Sequence, residues 1–425
     1  MRGRLAARVF VFVSASAGLL RCGSCKSSAA TDAAPSAAAS AAPAIPGAPL
    51  SLPINADHDS DGNVYVAGFV AARGAVVVAR YESSGRLDWN ADAFGSLGWS
   101  SDAHVDVVGA TGGAVVVWRG IQNGKRTRTA VWVSRDGKVG APFAVGAGAC
   151  AAASTLVSIG GNGSAIKAHP LPEGTEKKVV TLPEGRDATL VCGTTKRAFV
   201  IDEGEDDIGV RAIEDGVARP RALLVGPDDL GDDEIREHED FTMGDVLGQM
   251  LLTEAGHLVL REYAESPTAR RPLDAVVAPD EDLMAVDGNA THVVAIVSRE
   301  ASARCDGDIG TDVLAVDVPL PSGHERTLEV ARGACGHDLG PYWVAPTESA
   351  AYVAWAVRGP RSGDHAPLEA LAWAKLDAPS QEVKLSAETV VFAGCAKEKC
   401  TFVALERPEG TDGMVPGAAK LITIP

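Results

Sequence analysis

Cysteine, histidine and carboxylate side chains are the chemically able groups of this chain, and their spacing excludes more than it assigns. The 425 residues hold eight cysteines and nine histidines. Cys22 and Cys25 make a C-x-x-C pair, a redox motif when it sits in a βαβ unit. Here it follows an apolar leader, so the redox reading is set aside. Zinc needs ligands in close pairs. Cys395 and Cys400 are the one close pair downstream and have no histidine near them in sequence, so no metal ligand is assigned. The histidines are scattered singly. No G-x-S-x-G elbow, G-x-x-x-x-G-K-[ST] loop or H-E-x-x-H pair occurs, so no catalytic and no cofactor-binding residue is assigned. Gly146-x-Gly148 resembles the opening of a dinucleotide loop, but no helical pattern follows it and a turn is expected. Asp59-x-Asp61-Gly62 approaches a calcium loop but lacks the remaining ligands, so it too is read as a turn.

The carboxylates give a formal net charge of −17. A protein that binds nucleic-acid backbone needs a basic stripe, and none is present, so nucleic acid is excluded as a partner. Two blocks concentrate the acidity: residues 202–207, and Asp228, Asp229, Asp232, Asp233, Glu234, Glu237, Glu239 and Asp240. Hard cations want several carboxylate oxygens, but the expected reading of both blocks is a solvated loop on the rim of the fold.

The first 25 residues read as a signal peptide. Arg2, Arg4 and Arg8 precede an apolar run from Val9 to Leu20 that is too short to span a bilayer. The R-C-G-S-C-K that follows reads as a lipoprotein signal, with Cys22 or Cys25 acylated after cleavage and Cys22 preferred. The alternative is an ordinary secretory signal cut further on. Residues 26–50 are almost wholly Ala, Ser and Pro and cannot bury enough apolar surface to order themselves; they form a disordered linker. Residues 51–425 are the folded domain. Export makes disulfides allowed and free thiols hazardous. Cys395 pairs with Cys400 across one tight turn and Cys305 with Cys335 across one outer segment. Cys150 with Cys192 is then left.

The folded domain is all-β. Apolar residues make up 46% of the chain but aromatics only 5%, and there are 46 glycines. Apolar runs are short, β-branched and closed by Gly, Pro, Asp or Asn, with no sustained helical period. Residues 59–95 hold a full unit: a turn at 59–63, strands over 64–70 and 75–81, a turn at 83–85 and a third extended piece over 86–94. Gly62 and Asn63 are both able to take positive φ. Strand-turn-strand units recur near 130–145, 164–182, 208–225, 257–277, 313–331 and 369–386, with AAKLITIP at the end. Such a series reads as a β-propeller of seven to eight four-stranded antiparallel blades, eight preferred. The unit at 164–182 lacks a fourth strand in this reading. The last unit lacks its outermost strand, which Leu50 to Ile54 would supply to close the ring.

The core D-G-N-V-Y-V-A-G at 61–68, the A-R-Y strand at 79–81 and the L-D…F-G tail at 87–95 resemble the bacterial delta-sixty and SBBP-type β-propeller repeats over about residues 57–95. The family's aspartate in the second turn is replaced by Ser84-Gly85. The resemblance implies a propeller and carries no catalytic residue with it.

With no catalytic motif, the expected role is a non-enzymatic binding or scaffold protein on the cell envelope. It would be a monomer with a protein or carbohydrate ligand, meeting the membrane only through its N-terminal lipid anchor. The alternative is an envelope hydrolase or lyase with its site in the central funnel. Long inserts at 226–240, 299–312 and 358–368 are the expected recognition loops. Cys22→Ala should release the protein from the membrane fraction, and mass spectrometry of the mature N-terminus should show a diacylglyceryl cysteine; an unmodified N-terminus beyond residue 25 would exclude the anchor.

Overall fold

The computed structural model describes residues 51–424 apart from 71–72, 99, 101, 161–164, 194–196, 205–206, 227–233, 265–270, 280, 301–303, 306–309, 348, 361–366, 377, 397 and 407–417. Cys22, Cys25, the leader and the linker lie outside the described residues. So do parts of both acidic blocks and of the three long inserts.

The first sheet shows how the sequence makes a blade. β1 (Ser51–His58), β2 (Val64–Val70), β3 (Ala75–Tyr81) and β4 (Leu87–Phe94) pair in that order, all antiparallel. β2 and β3 are Val-rich and buried along their whole length, because both faces of a propeller blade pack against neighbouring blades. The turn at 59–63 is an Asx turn built on a fully buried carboxylate. Asp59 Oδ1 accepts the Asp61 amide (2.9 Å) and the Asn63 amide (3.0 Å), and Oδ2 accepts Asn63 Nδ2 (2.9 Å). Gly62 takes the positive φ (79°); Asn63 does not. Arg135, from the turn after the strand Lys125–Ser134 of the next sheet, pairs with Asp61.

The second sheet holds β5 (Leu97–Gly98), β6 (His104–Ala110), β7 (Gly113–Gln122), β8 (Lys125–Ser134) and β9 (Phe143–Ala144). The third holds β10 (Ala147–Ala152), β11 (Thr155–Ile159), β12 (Ala165–Pro170) and β13 (Lys177–Thr181). The fourth holds β14 (Asp187–Cys192), β15 (Arg197–Glu203), β16 (Ile208–Glu214), β17 (Val217–Ala218) and β18 (Ala222–Val225). The fifth runs β19 (Ile235–Met243), β20 (Val246–Thr253), β21 (His257–Tyr263) and β22 (Arg271–Val276). The sixth runs β23 (Glu281–Gly288), β24 (His292–Glu300), β25 (Thr311–Pro319) and β26 (Arg326–Arg332). The seventh is double: β27 (Asp338–Pro346), β28 (Ala351–Arg358), β29 (Leu368–Lys375), β30 (Gln381–Ala396), β31 (Lys399–Glu406) and β32 (Ala418–Ile424).

β30 explains the double sheet. Its first part pairs with β29 from Gln381 to Ala387, and from Ala387 onward it pairs with β31. One unbroken strand thus serves as the outer strand of one unit and the innermost strand of the next. Seven hydrogen-bonded sheets therefore carry eight innermost strands. These are β1, β6, β10, β14, β19, β23, β27 and the second part of β30, each beside the next, with β30 returning to β1. The result is a closed β-propeller.

Four sequence expectations are corrected here. Residues 51–58 are the innermost strand of the first sheet and do not pair with β32, so the ring does not close by lending Leu50–Ile54 to the last sheet. The 164–182 unit is a full four-stranded sheet, because Ala147–Ala152 and Thr155–Ile159 supply its two inner strands, the first hidden by its small residues; Gly146 immediately precedes that strand and Gly148 lies in it. Residues 235–240 are not loop but the start of β19. In the other acidic block Asp202 is buried in β15, not solvated.

Apolar clusters fill the space between successive units. One joins the first two sheets through Tyr65, Phe69, Val116 and Trp118, whose rings Phe69 and Trp118 stack at 5.5 Å. The cluster at the seam joins Ile54, Val64, Val66 and Val77 to Val403, Leu405 and Leu421. Disulfides add staples. Cys150–Cys192 joins the innermost strands of the third and fourth sheets (Cα–Cα 5.7 Å). Cys305–Cys335 ties the β24–β25 connection to the segment before β27 (5.3 Å), and Cys395–Cys400 faces itself across β30 and β31 (4.0 Å). Within the double sheet, the fully buried Phe402 lies between Trp343 (5.4 Å) and Phe392 (4.9 Å). Phe402→Ala should cost about 3–5 kcal/mol in urea unfolding; a loss below about 1 kcal/mol would mean that the two halves of the sheet do not depend on this contact.

Candidate functional site

The innermost strands are where side chains from distant parts of the chain meet. In a strand, residues two apart share a face, so a His-x-Asp sequence there sets an imidazole beside a carboxylate. This happens twice. On β6, His104 Nε2 lies 2.6 Å from Asp106 Oδ1, and both side chains are nearly half exposed. On β19, His238 Nε2 lies 3.5 Å from Asp240 Oδ2 and 3.1 Å from Glu203 Oε1 of β15.

The two pairs differ in surroundings. Around His104, Asn55 of β1 donates its Nδ2 to the same Asp106 Oδ1 (3.4 Å). The neighbouring Asp57 is taken up by backbone: Oδ2 accepts the Gly109 amide (2.8 Å) and Oδ1 the His58 amide (2.8 Å). Gly109 is needed for this approach, since a Cβ there would lie 1.9 Å from the His58 carbonyl oxygen. His58 Nδ1 lies 2.9 Å from the Ala393 carbonyl of β30, so it donates across the seam. Burial opposes a charge on His58, but Asp57 and the Ala393 carbonyl outweigh it and raise its pKa above the ordinary histidine value. Asn55, Asp57, His58, His104 and Asp106 thus form one polar cluster where the ring closes.

The β19 pair is a buried ionic lock between the fourth and fifth sheets. Burial works against the imidazolium, but the hydrogen bonds and charges of Asp240 and Glu203 push His238 up to about 10. The hydrogen bond from His238, set against burial, holds Glu203 below the usual carboxylate range. Gln249 Nε2 donates to Asp240 Oδ1 (2.8 Å), which completes the network. Next round the ring, burial pushes Asp287 of β23 up to about 7, against the Gly288 amide that its Oδ1 accepts at 2.8 Å.

A histidine tied to a carboxylate through Nε2 can accept a proton at Nδ1, so the His104–Asp106 pair is able to act as a general base. Covalent hydrolysis also needs a nucleophile and oxyanion donors within reach. Here the groups hydrogen-bonded around the pair are an amide side chain and backbone. Asp287, whose pKa suits proton transfer, sits on β23, four places from β6 among the eight innermost strands. The described residues hold no group of three or more His, Cys, Asp or Glu that could bind a metal. None of the residues in the seam cluster was singled out from sequence for a role in a site. The readable signal was H-x-D at strand spacing, at 104–106 and 238–240. The three cysteine pairs are not among the side chains of this cluster.

No family model matches the chain, and no curated protein matches it. Solved structures do. The chain is similar to oligopeptidase B from Trypanosoma brucei with covalently bound antipain (12% identity, TM-score 0.53, 86% of this chain and 54% of that one). It is also similar to Pyrococcus horikoshii acylaminoacyl peptidase (9%, 0.45, 75% and 51%) and to Kuenenia stuttgartiensis hydrazine synthase (12%, 0.41, 73% and 96%). The chain spans about half the length of the two peptidases. At these identities the likeness is one of fold.

The pH dependence of the β19 lock follows from the raised and lowered groups. His238 has a folded pKa near 10 against an ordinary 6.5, so its stabilisation is full below 6.5 and fades as pH rises toward 10. Glu203 is lowered from 4.5, so its share is present above 4.5 and is lost as pH falls through its folded value. His238→Gln should therefore lower the unfolding free energy most near pH 5.5, by on the order of a few kcal/mol, and much less near pH 10. Equal losses at both pH values would show that the charge on His238 is not what holds the sheets together.

Proposed function

We propose that the chain is an exported β-propeller that acts as a non-enzymatic binding or scaffold protein of the cell envelope, with a protein or carbohydrate ligand. The observation that carries this reading is how the ionisable groups on the innermost strands are used. Asp57, His58 and His238 are each engaged by a backbone group or side chain of a neighbouring unit, and Asp240 by His238 and Gln249 of its own sheet, so their chemistry is spent on holding the ring. Three disulfides fit an extracellular or periplasmic location. Under this reading the leader ends at Cys22, which carries the lipid, and residues 26–50 hold the propeller off the membrane as a monomer. The repeat resemblance at 57–95 fits a propeller that keeps its architecture while its loops diverge.

A second reading, an envelope hydrolase or lyase, is favoured by one observation: the His104–Asp106 pair is nearly half exposed, with the imidazole Nε2 2.6 Å from the carboxylate. One experiment separates the two. Purified protein and its His104→Gln variant are offered panels of fluorogenic peptides, esters and glycosides, and both are used as bait in envelope extract. The binding role predicts no turnover by either protein and the same captured partner for both. Turnover by the native protein that drops at least a hundredfold in the variant would establish the enzyme instead.

A further inference from the structure

The second sheet carries a feature at odds with the rest of this acidic chain. β7 and β8 form a long hairpin through the two-residue turn Asn123-Gly124, both with positive φ (51° and 74°). Its outer half, residues 119–128, holds Arg119, Lys125, Arg126 and Arg128 and no carboxylate. Cross-strand partners share a face. His104 is opposite Arg119, Arg119 is opposite Arg128, and Ile121 is opposite Arg126. His104, Arg119 and Arg128 therefore form one row across β6, β7 and β8, with Arg126 beside it on the same face.

The cations are poorly neutralised. Asp102 lies 3.6 Å from Arg126, an exposed pair of small worth, and its carbonyl accepts from Arg119 Nε at 3.3 Å. Among the described residues, no carboxylate lies within ion-pair distance of Arg119, Lys125 or Arg128. Burial and then the facing Arg119 lower the pKa of Arg128, with the charge of Asp106 opposing them in part. Like charges opposite each other destabilise a ladder, so this row has a standing demand for anions.

The backbone beside it is open as well. β9 pairs with β8 only at Thr129 and Ala130. Among the described residues no strand pairs with the outer edge of Lys125–Arg128, so its outward amides and carbonyls are free to accept another strand. An incoming strand places every second side chain on the arginine face.

We propose that this edge is a docking site for an extended acidic protein segment, which adds a strand to β8 and sets carboxylates at alternate positions against Arg126 and Arg128, with Arg119 behind them. Strand addition supplies affinity through main-chain hydrogen bonds and selectivity through alternate side chains; arginine suits the carboxylates because its fork can hold both oxygens. The hairpin belongs to the second and third strands of its sheet. Docking here rests on the binding role proposed above and gives that role a class of partner.

The test uses the folded protein and four labelled probes followed by fluorescence anisotropy. These are a peptide alternating Glu and Val, its Gln–Val counterpart, the Glu–Val peptide N-methylated at alternate amides to block strand pairing, and heparin. The site predicts binding of the Glu–Val peptide that weakens with salt. It predicts at least a tenfold loss with the Gln–Val peptide, with the N-methylated peptide, and with Arg126→Gln/Arg128→Gln. The double variant should keep the native Tm, since both side chains lie outside the apolar clusters. No binding of the Glu–Val peptide overturns the proposal. So does equal binding of the N-methylated peptide, or heparin outcompeting all peptides with no effect of N-methylation, because either marks a general anion patch.

Discussion

A chain curled into a ring must join its first and last sheets, and here side chains make the join. Ile54, Val64, Val66 and Val77 interleave with Val403, Leu405 and Leu421 without any ladder running between β1 and β32. What orients that contact is polar: His58 donates to the Ala393 carbonyl, with Gly394 so near the imidazole that a Cβ there would lie 2.3 Å from its Nδ1. Asp57 fastens the other side of β1 to Gly109 of the next sheet. One strand, β1, is thereby held on both flanks. The packing of the remaining sheets depends on this closure, since an open ring would expose a blade face on either side of the gap.

Within single sheets, buried carboxylates do a related job. Asp59, Asp202 and Asp317 are buried carboxylates, and each is surrounded by donors: the turn amides, Arg186 and Arg221, and His292 with Arg326. Burying such groups costs desolvation that the pairing little more than offsets. Their partners lie within the same sheet, so their contribution is to register inside each unit, because a slipped strand would leave a charge unpaired in an apolar interior. Much of the acidity of the chain is thus structural.

How far the sequence disclosed this depends on the element. Val-rich strands such as β2, β3, β7 and β24 stand out because both faces are buried, and the strand-turn spacing gives the propeller. The innermost strands were harder. Ala147–Ala152 is made of small residues, and Ile235–Met243 is largely charged, so neither carries the alternation by which a strand is read. Their partners are at the axis, and what they touch is fixed by closure. The candidate site suffers for the same reason: Asn55 and Asp106, or Glu203 and His238, meet only because separate sheets are packed together. The H-x-D pairs were the local part of that signal, and a strand assignment at 235–243 is what would have exposed the second of them.

The basic hairpin shows how one arrangement can both protect and recruit. A bare strand edge invites pairing with any extended chain, including a second copy of the same edge. At Lys125–Arg128 a second copy would bring arginines against arginines, and a neutral strand would leave the Arg119–Arg128 repulsion in place. An acidic strand relieves it. The repulsion that weakens the free hairpin therefore acts as the selecting element. The edge can stay open in water without self-association because only one class of chain lowers its energy. A site of this kind needs no pocket and no catalytic group. It needs a ladder that stops early at β9 and charges that the rest of the sheet does not neutralise.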